Sequence, residues 1–178
     1  MSLAFIPHPS NRRHSWTRAR VALRLEPLEG RLLPSLTPHL LRDINPGPGG
    51  SIGNQGFVAV NGVAYFPAFD PIHGTELWKS NATTAGTVLV KDIIPGSGGS
   101  VPKYLANVAG TLFFVEDFNG SLWKSNGTAA GTVLVKGFSP KAYGAEFSPD
   151  LTNVAGTLFF VADDGVHGRE LWLSLIHI

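Results

Sequence analysis

Residues 121–138, SLWKSNGTAAGTVLVKGF, restate residues 76–93, ELWKSNATTAGTVLVKDI, almost letter for letter. A second phrase, NVAGTLFFV, occurs at residues 107–115 and again at 153–161, so two segments recur in the same order. Trp78, Trp123 and Trp172 stand 45 and 49 residues apart, and Phe114 and Phe160 stand 46 apart. A period in that range belongs to stacked supersecondary units, propeller blades or a solenoid, in which no single unit buries its own apolar faces. A fainter copy, LLRDINPGPGGS at residues 40–51, matches LVKDIIPGSGGS at 89–100, which puts the start of the repeat near Leu40.

Within the middle copy, TLFFV (111–115), SLWKS (121–125) and TVLVK (132–136) are short β-branched and aromatic runs bounded by Gly, Asn and Asp, and a weaker run lies at 104–108. They read as four strands joined by hairpins. In TLFFV, Leu112 and Phe114 face one way and Phe113 and Val115 the other, so both faces of the sheet need cover. The expected fold is all-β: propeller-like blades of four-stranded antiparallel sheet, fewer than three complete, since no amphipathic helix of useful length occurs over residues 43–178. Three repeats are expected at about 40–93, 94–138 and 139–172.

Net charge is +1, but residues 1–42 carry seven Arg against two Glu, whereas residues 43–178 carry seven basic and eleven acidic side chains. Residues 1–39 therefore read as a separate basic leader, disordered or export-related. The leader lacks the interleaved aromatics of a nucleic-acid surface, and no run approaches the roughly 18 apolar residues of a membrane-spanning helix. The absence of cysteine excludes disulfides, thiolate metal sites and cysteine nucleophiles.

The phrase ELWKSN…AGTVLVKDI resembles the ELWxxDGT repeat, found in large surface or secreted proteins of planctomycetes and other environmental bacteria. Its signature is carried by Glu76, Leu77, Trp78, Gly86 and Thr87, and by Leu122, Trp123, Gly127, Thr128, Gly131 and Thr132, and the likeness spans residues 40–172. The family's Asp is Asn81 and Asn126 here, and its Glu is Ser121 in the middle copy. An Asn can serve a turn but cannot give a carboxylate to calcium. RLEPLEGRLLPS (24–35) is similar to an Arg-rich tag on exported planctomycete proteins. The resemblance implies an extracellular or cell-surface scaffold. Residues 173–178, LSLIHI, leave the pattern and read as a translated sequencing adapter, which makes the chain a fragment.

A repeated Asp-x-x-His-Gly-x-Glu-Leu-Trp places Asp70, His73 and Glu76 in one copy and Asp164, His167 and Glu170 in another. Such residues could bind a divalent metal or act as acid and base. The middle copy drops the His, however, and Asp, His and Gly are ordinary hairpin-tip residues. The carboxylate pairs Glu116-Asp117 and Asp163-Asp164 read as polar strand ends, and the tryptophans as packing between units instead of platforms for sugar rings. No catalytic, cofactor-binding or metal residue is assigned. The functional expectation is a non-enzymatic repeat scaffold for adhesion or ligand display, the alternative a polysaccharide-binding or polysaccharide-degrading propeller. Polysaccharide or other surface proteins are the expected partners, together with self-association through open strand edges. Residues 40–44 read as a fourth-strand phrase lacking its own sheet, able to complete a last one by ring closure in a longer parent or by head-to-tail pairing between copies.

Overall fold

The computed structural model describes residues 37–118, 120–138 and 150–174. The leader expected over 1–39 lies almost wholly outside the described residues, as do 175–178 of the off-pattern tail. Among the described residues there is no helix. The described residues contain eleven strands in three antiparallel sheets, none closed on itself. The first runs in the order β1 (Val58–Val60), β2 (Val63–Asp70), β3 (Gly74–Ser80) and β4 (Val88–Lys91). The second repeats that order with β5 (Pro102–Val108), β6 (Thr111–Glu116), β7 (Ser121–Ser125) and β8 (Val133–Lys136). The third comprises β9 (Thr152–Val154), β10 (Thr157–Asp163) and β11 (Arg169–Ser174). Leu173 and Ser174 continue β11, opposite Phe159 and Leu158 of β10.

Each sheet opens with the same two-residue turn. Asn61-Gly62, Ala109-Gly110 and Ala155-Gly156 have φ of 50° and 78°, 49° and 82°, and 50° and 85°. Two consecutive positive φ values define the turn whose twist matches the flanking strands. Asn-Gly adopts it readily, whereas Ala pays a steric penalty there. The repeats with Ala hold the turn another way: Asn107 Oδ1 accepts from Gly110 N at 3.0 Å, and Asn153 Oδ1 from Gly156 N at 2.9 Å.

The sheets are stacked, with β1, β5 and β9 as neighbours. Alternation along β6 shows why. Leu112 and Phe114 pack with Val60, Tyr65 and Leu77 of the first sheet, while Phe113 and Val115 pack with Leu158 and Phe160 of the third. All four are at most 3% exposed, so both faces are covered as the pattern requires. Burying each such side chain contributes about 1.5–3 kcal/mol. Polar links fix the stacking register: Asn107 Nδ2 donates to Ala59 O at 2.8 Å and Asn153 Nδ2 to Asn107 O at 3.0 Å. Lys79 Nζ reaches Gly127 O at 2.7 Å, and Lys91 Nζ reaches Thr132 O at 2.9 Å.

Gly127 marks the closest approach between the first two sheets. At φ 84°, a Cβ built there would lie 2.2 Å from Tyr65 Oη. Gly127→Ala is expected to cost about 1–3 kcal/mol, and Tyr65→Phe in the same chain to recover part of the loss. Urea denaturation of the single and double variants checks it; equal stability of the two would leave the close approach without energetic weight.

Candidate functional site

The most repeated letters build a turn, not a cleft. Between β3 and β4, Asn81 Oδ1 accepts from Thr83 N and Thr83 Oγ1 at 3.2 and 2.7 Å. Thr83 Oγ1 in turn accepts from Gly86 N at 2.9 Å, and Thr87 Oγ1 lies 2.8 Å from Ser80 Oγ. Between β7 and β8 the same network recurs through Ser125, Asn126, Thr128, Gly131 and Thr132, with distances of 2.8–3.0 Å. A Cβ on Gly86 or Gly131 would meet Asn81 or Asn126 Oδ1 at 1.8 or 2.0 Å, so the glycine belongs to the network. Asn supplies the acceptor that the turn needs, and no carboxylate enters it.

The Asp-His pairs cap hairpins. Asp70 Oδ1 accepts from Ile72 N and His73 N at 2.8 and 2.9 Å, and His73 Nδ1 donates to Asp70 Oδ2 at 2.8 Å. Asp164 and His167 repeat the arrangement, with Nδ1 to Oδ2 again 2.8 Å. The hydrogen bond to Asp70 raises the pKa of His73, and that to Asp164 raises His167. The backbone and ring N–H groups of His167 hold Asp164 well below the ordinary carboxylate range. Burial pushes Asp70 up, but the hydrogen bonds from His73 and Ile72 outweigh it and the net shift is downward.

Glu76 turns away from this pair. It is fully buried and accepts from Ile94 N at 3.0 Å, Ser100 N at 2.9 Å and Ser100 Oγ at 2.5 Å, tying β3 to the Gly-rich loop. Burial raises its pKa against the pull of those hydrogen bonds. Its counterpart Glu170 is exposed. The Asp70, His73 and Glu76 set is therefore divided between two structural tasks, and the two sets lie on different sheets. Among the described residues, no three His, Asp or Glu groups come together in a way that could hold a metal ion. Glu116 and Asp163, read as polar strand ends, are 2% and 5% exposed. Each folds back on its own hairpin, Glu116 Oε1 accepting from Phe118 N and Asp163 Oδ1 from Gly165 N.

The three tryptophans of the repeats each sit under a cation from the strand phrase that precedes them. Arg42 lies 5.8 Å from the Trp78 ring, Lys91 5.6 Å from Trp123, and Lys136 5.2 Å from Trp172. Trp78 is 6% exposed and the other two are half-buried. Cation–π contacts of this kind contribute about 0.5–2 kcal/mol, and each places a cation over one of the rings. No described helix is long and apolar enough to cross a membrane. No family model, curated protein or solved structure matches the chain.

The capping pairs give stability a defined pH dependence. A histidine whose folded pKa is raised contributes stability that is complete below its unfolded value, 6.5, and is lost as pH rises through the folded value. Asp70 and Asp164, held low, contribute stability above 3.8 that is lost as pH falls through their folded values. Between about pH 4 and 6.5 the pairs' own contribution is complete, so the unfolding temperature of the wild-type chain is expected to exceed that of a His73→Gln, His167→Gln double variant by most within that window. The decline above that window should flatten in the His73→Gln, His167→Gln double variant. An unchanged alkaline slope would mean that the pairs do not govern it.

The buried carboxylate has its own signature. Glu76→Ala leaves the N–H groups of Ile94 and Ser100 without their acceptor and is expected to cost about 2–6 kcal/mol, from two lost partners at about 1–3 kcal/mol each. Denaturant midpoints against the wild-type chain provide the measurement; a change under about 0.5 kcal/mol would show that the loop is held otherwise.

Proposed function

We propose that the chain is a non-enzymatic repeat scaffold, displayed on or outside a bacterial cell, whose sheets stack as propeller-like blades for adhesion or ligand display. The observation that carries this reading is the fate of Glu76: the residue best suited to acid or base chemistry is fully buried and spent on two backbone N–H groups and a hydroxyl. The other candidate groups, Asp70 with His73 and Asp164 with His167, are likewise spent on their own hairpins. Meanders whose first strands lie side by side support the propeller-like arrangement. The likeness to ELWxxDGT repeats and the Arg-rich leader support export. The polysaccharide reading is the weaker one, because the tryptophan faces that it would use are capped by Arg42, Lys91 and Lys136.

An epitope-tagged chain expressed with its leader in a planctomycete host is expected to be digested when intact cells are treated with protease, and to release no reducing ends from a polysaccharide panel. Tag protection in intact, efficiently expressing cells would overturn display. Reducing-end release that disappears in His73→Ala would overturn the non-enzymatic reading.

A further inference from the structure

We propose that the three hairpin tips that join the second and third strands of each sheet form a docking face for the zwitterionic surface of a lipid bilayer, each tip inserting one apolar side chain. The inference stands on the tips alone and does not rest on the display role.

Each tip holds one large apolar side chain in water. Ile72, Phe118 and Val166 lie between β2 and β3, β6 and β7, and β10 and β11, and are 74%, 65% and 81% exposed. Each stands two residues before a glycine of positive φ, Gly74, Gly120 or Gly168. Phe118 has a sheet packed on either side of its own and is still open, so the exposure belongs to the tip and not to the ends of the stack. Exposed apolar side chains scattered singly are ordinary on a protein surface. Here one place in every repeat is filled by isoleucine, phenylalanine or valine, in turns otherwise built of Asp, Asn, Pro, His and Gly.

The tips share one end of the stack. Equivalent residues of successive sheets meet, Asn107 donating to Ala59 O and Asn153 to Asn107 O, so the sheets run as parallel copies. The Asn61-Gly62 turn and its counterparts therefore lie at one end, where Asn61 Nδ2 donates to Gly110 O at 3.2 Å. The three tips lie at the other end. Sheets packed face to face stand about 10 Å apart, which makes the three side chains a row of separate points at about that spacing.

The tips are also held in place. Ile72 N donates to Asp70 Oδ1 at 2.8 Å, Phe118 N to Glu116 Oε1 at 2.6 Å and Val166 N to Asp164 Oδ1 at 3.0 Å. In every copy the amide of the apolar residue is pinned by the carboxylate two residues before it. Insertion then removes little backbone freedom, and the ordering cost of binding is reduced in advance.

Charge and spacing select the partner. Each tip sets a carboxylate against a nitrogen base: Asp70 with His73 at 2.8 Å, Asp117 with Lys103 at 2.6 Å, and Asp164 with His167 at 2.8 Å. The described loops that return to the same end, NPGPGG at 45–50 and PGSGG at 95–99, bear no charged side chain. Their place is fixed by Phe69 N donating to Ser51 O and Val101 N to Thr75 O. No block of one sign faces outward, which suits a zwitterionic headgroup layer, whereas anionic lipid is recognised by clustered Lys and Arg. A protein partner needs a continuous apolar centre. Fluid lipid closes around separate points, and phenylalanine and aliphatic side chains are those that interfacial elements bury at the acyl boundary.

Co-sedimentation of the whole chain with phosphatidylcholine vesicles, buffered below the ordinary histidine pKa of 6.5, tests the proposal. Wild-type chain is expected to pellet with the vesicles. Ile72→Ser, Phe118→Ser and Val166→Ser are each expected to lower the partition coefficient about three- to tenfold, and together to abolish binding while circular dichroism stays that of wild type. Phe118→Trp is expected to gain a fluorescence component quenched by phosphatidylcholine brominated on its acyl chains. A wild type that stays in solution, or a triple variant that binds as wild type does, would overturn the proposal. So would binding that needs added phosphatidylglycerol and is lost in salt, which the seven Arg of residues 1–42 would explain. A wild type that ignores vesicles but self-associates through the same three residues would replace the bilayer with a protein surface.

Discussion

A strand such as β6, apolar on both sides, cannot be satisfied by any single meander, and the rest of the structure depends on that. Leu112, Phe113, Phe114 and Val115 are consecutive and all nearly inaccessible to water. One sheet has a front and a back, so four adjacent apolar side chains demand a neighbour on each. At about 1.5–3 kcal/mol per large side chain, uncovering either face of the middle sheet would remove much of the stability typical of a whole domain, about 5–15 kcal/mol. The repeat is the consequence: the unit is stable only as part of a stack, and its sequence is copied because its environment is.

Apolar burial alone would let the sheets slide or rotate, since it has no direction. Direction comes from a few hydrogen bonds between sheets. The Asn107 and Asn153 amides reach the carbonyls of Ala59 and Asn107, while their Oδ1 atoms hold their own turns. One side chain thus ties local hairpin geometry to stacking register. On the other side, Lys79 and Lys91 end on the carbonyls of Gly127 and Thr132, members of the Asn-Thr-Gly turn. The repeated phrase SN-x-T-x-x-GT is therefore, in its second copy, a docking surface for the neighbouring sheet's lysines as well as a turn.

Much of the fold was legible because the period-two alternation of TLFFV and the bracketing Asn-Gly pairs are local signals. The four-strand meander, the burial of both faces of β6 and the place of Asp70 and Asp164 in turns could all be argued from letters. What could not be read depends on partners distant in sequence. Glu76 carries the letters of a possible acid, and only the return of the Ile94 to Ser100 loop reveals it as an internal staple. The pairing of Arg42 with Trp78 needs the stacking before it has meaning. Tyr104, at φ 53° within the irregular stretch of β5 between Lys103 and Ala106, bears no sequence mark of its bulge. Ala109 and Ala155 conceal a turn that the letters Asn-Gly would have announced.

The departures from the repeat carry as much physical information as its copies. Ala59 stands where Asn107 and Asn153 stand, and the sheet it belongs to has no earlier sheet in the described residues whose carbonyl an amide would reach. Ala64 stands where Leu112 and Leu158 fill the space between sheets, and the groove beside the first sheet is the volume that those leucines would occupy. Ala82 replaces Gly127 at the point where no tyrosine hydroxyl presses. Three substitutions on one face, each relaxing a demand set by a preceding sheet of the internal kind, distinguish the first unit from a simple copy. A face altered in this concerted way, yet still furnished with Arg42 and Ile44 in the positions of an inserted strand, differs in detail from the internal interfaces while using the same construction.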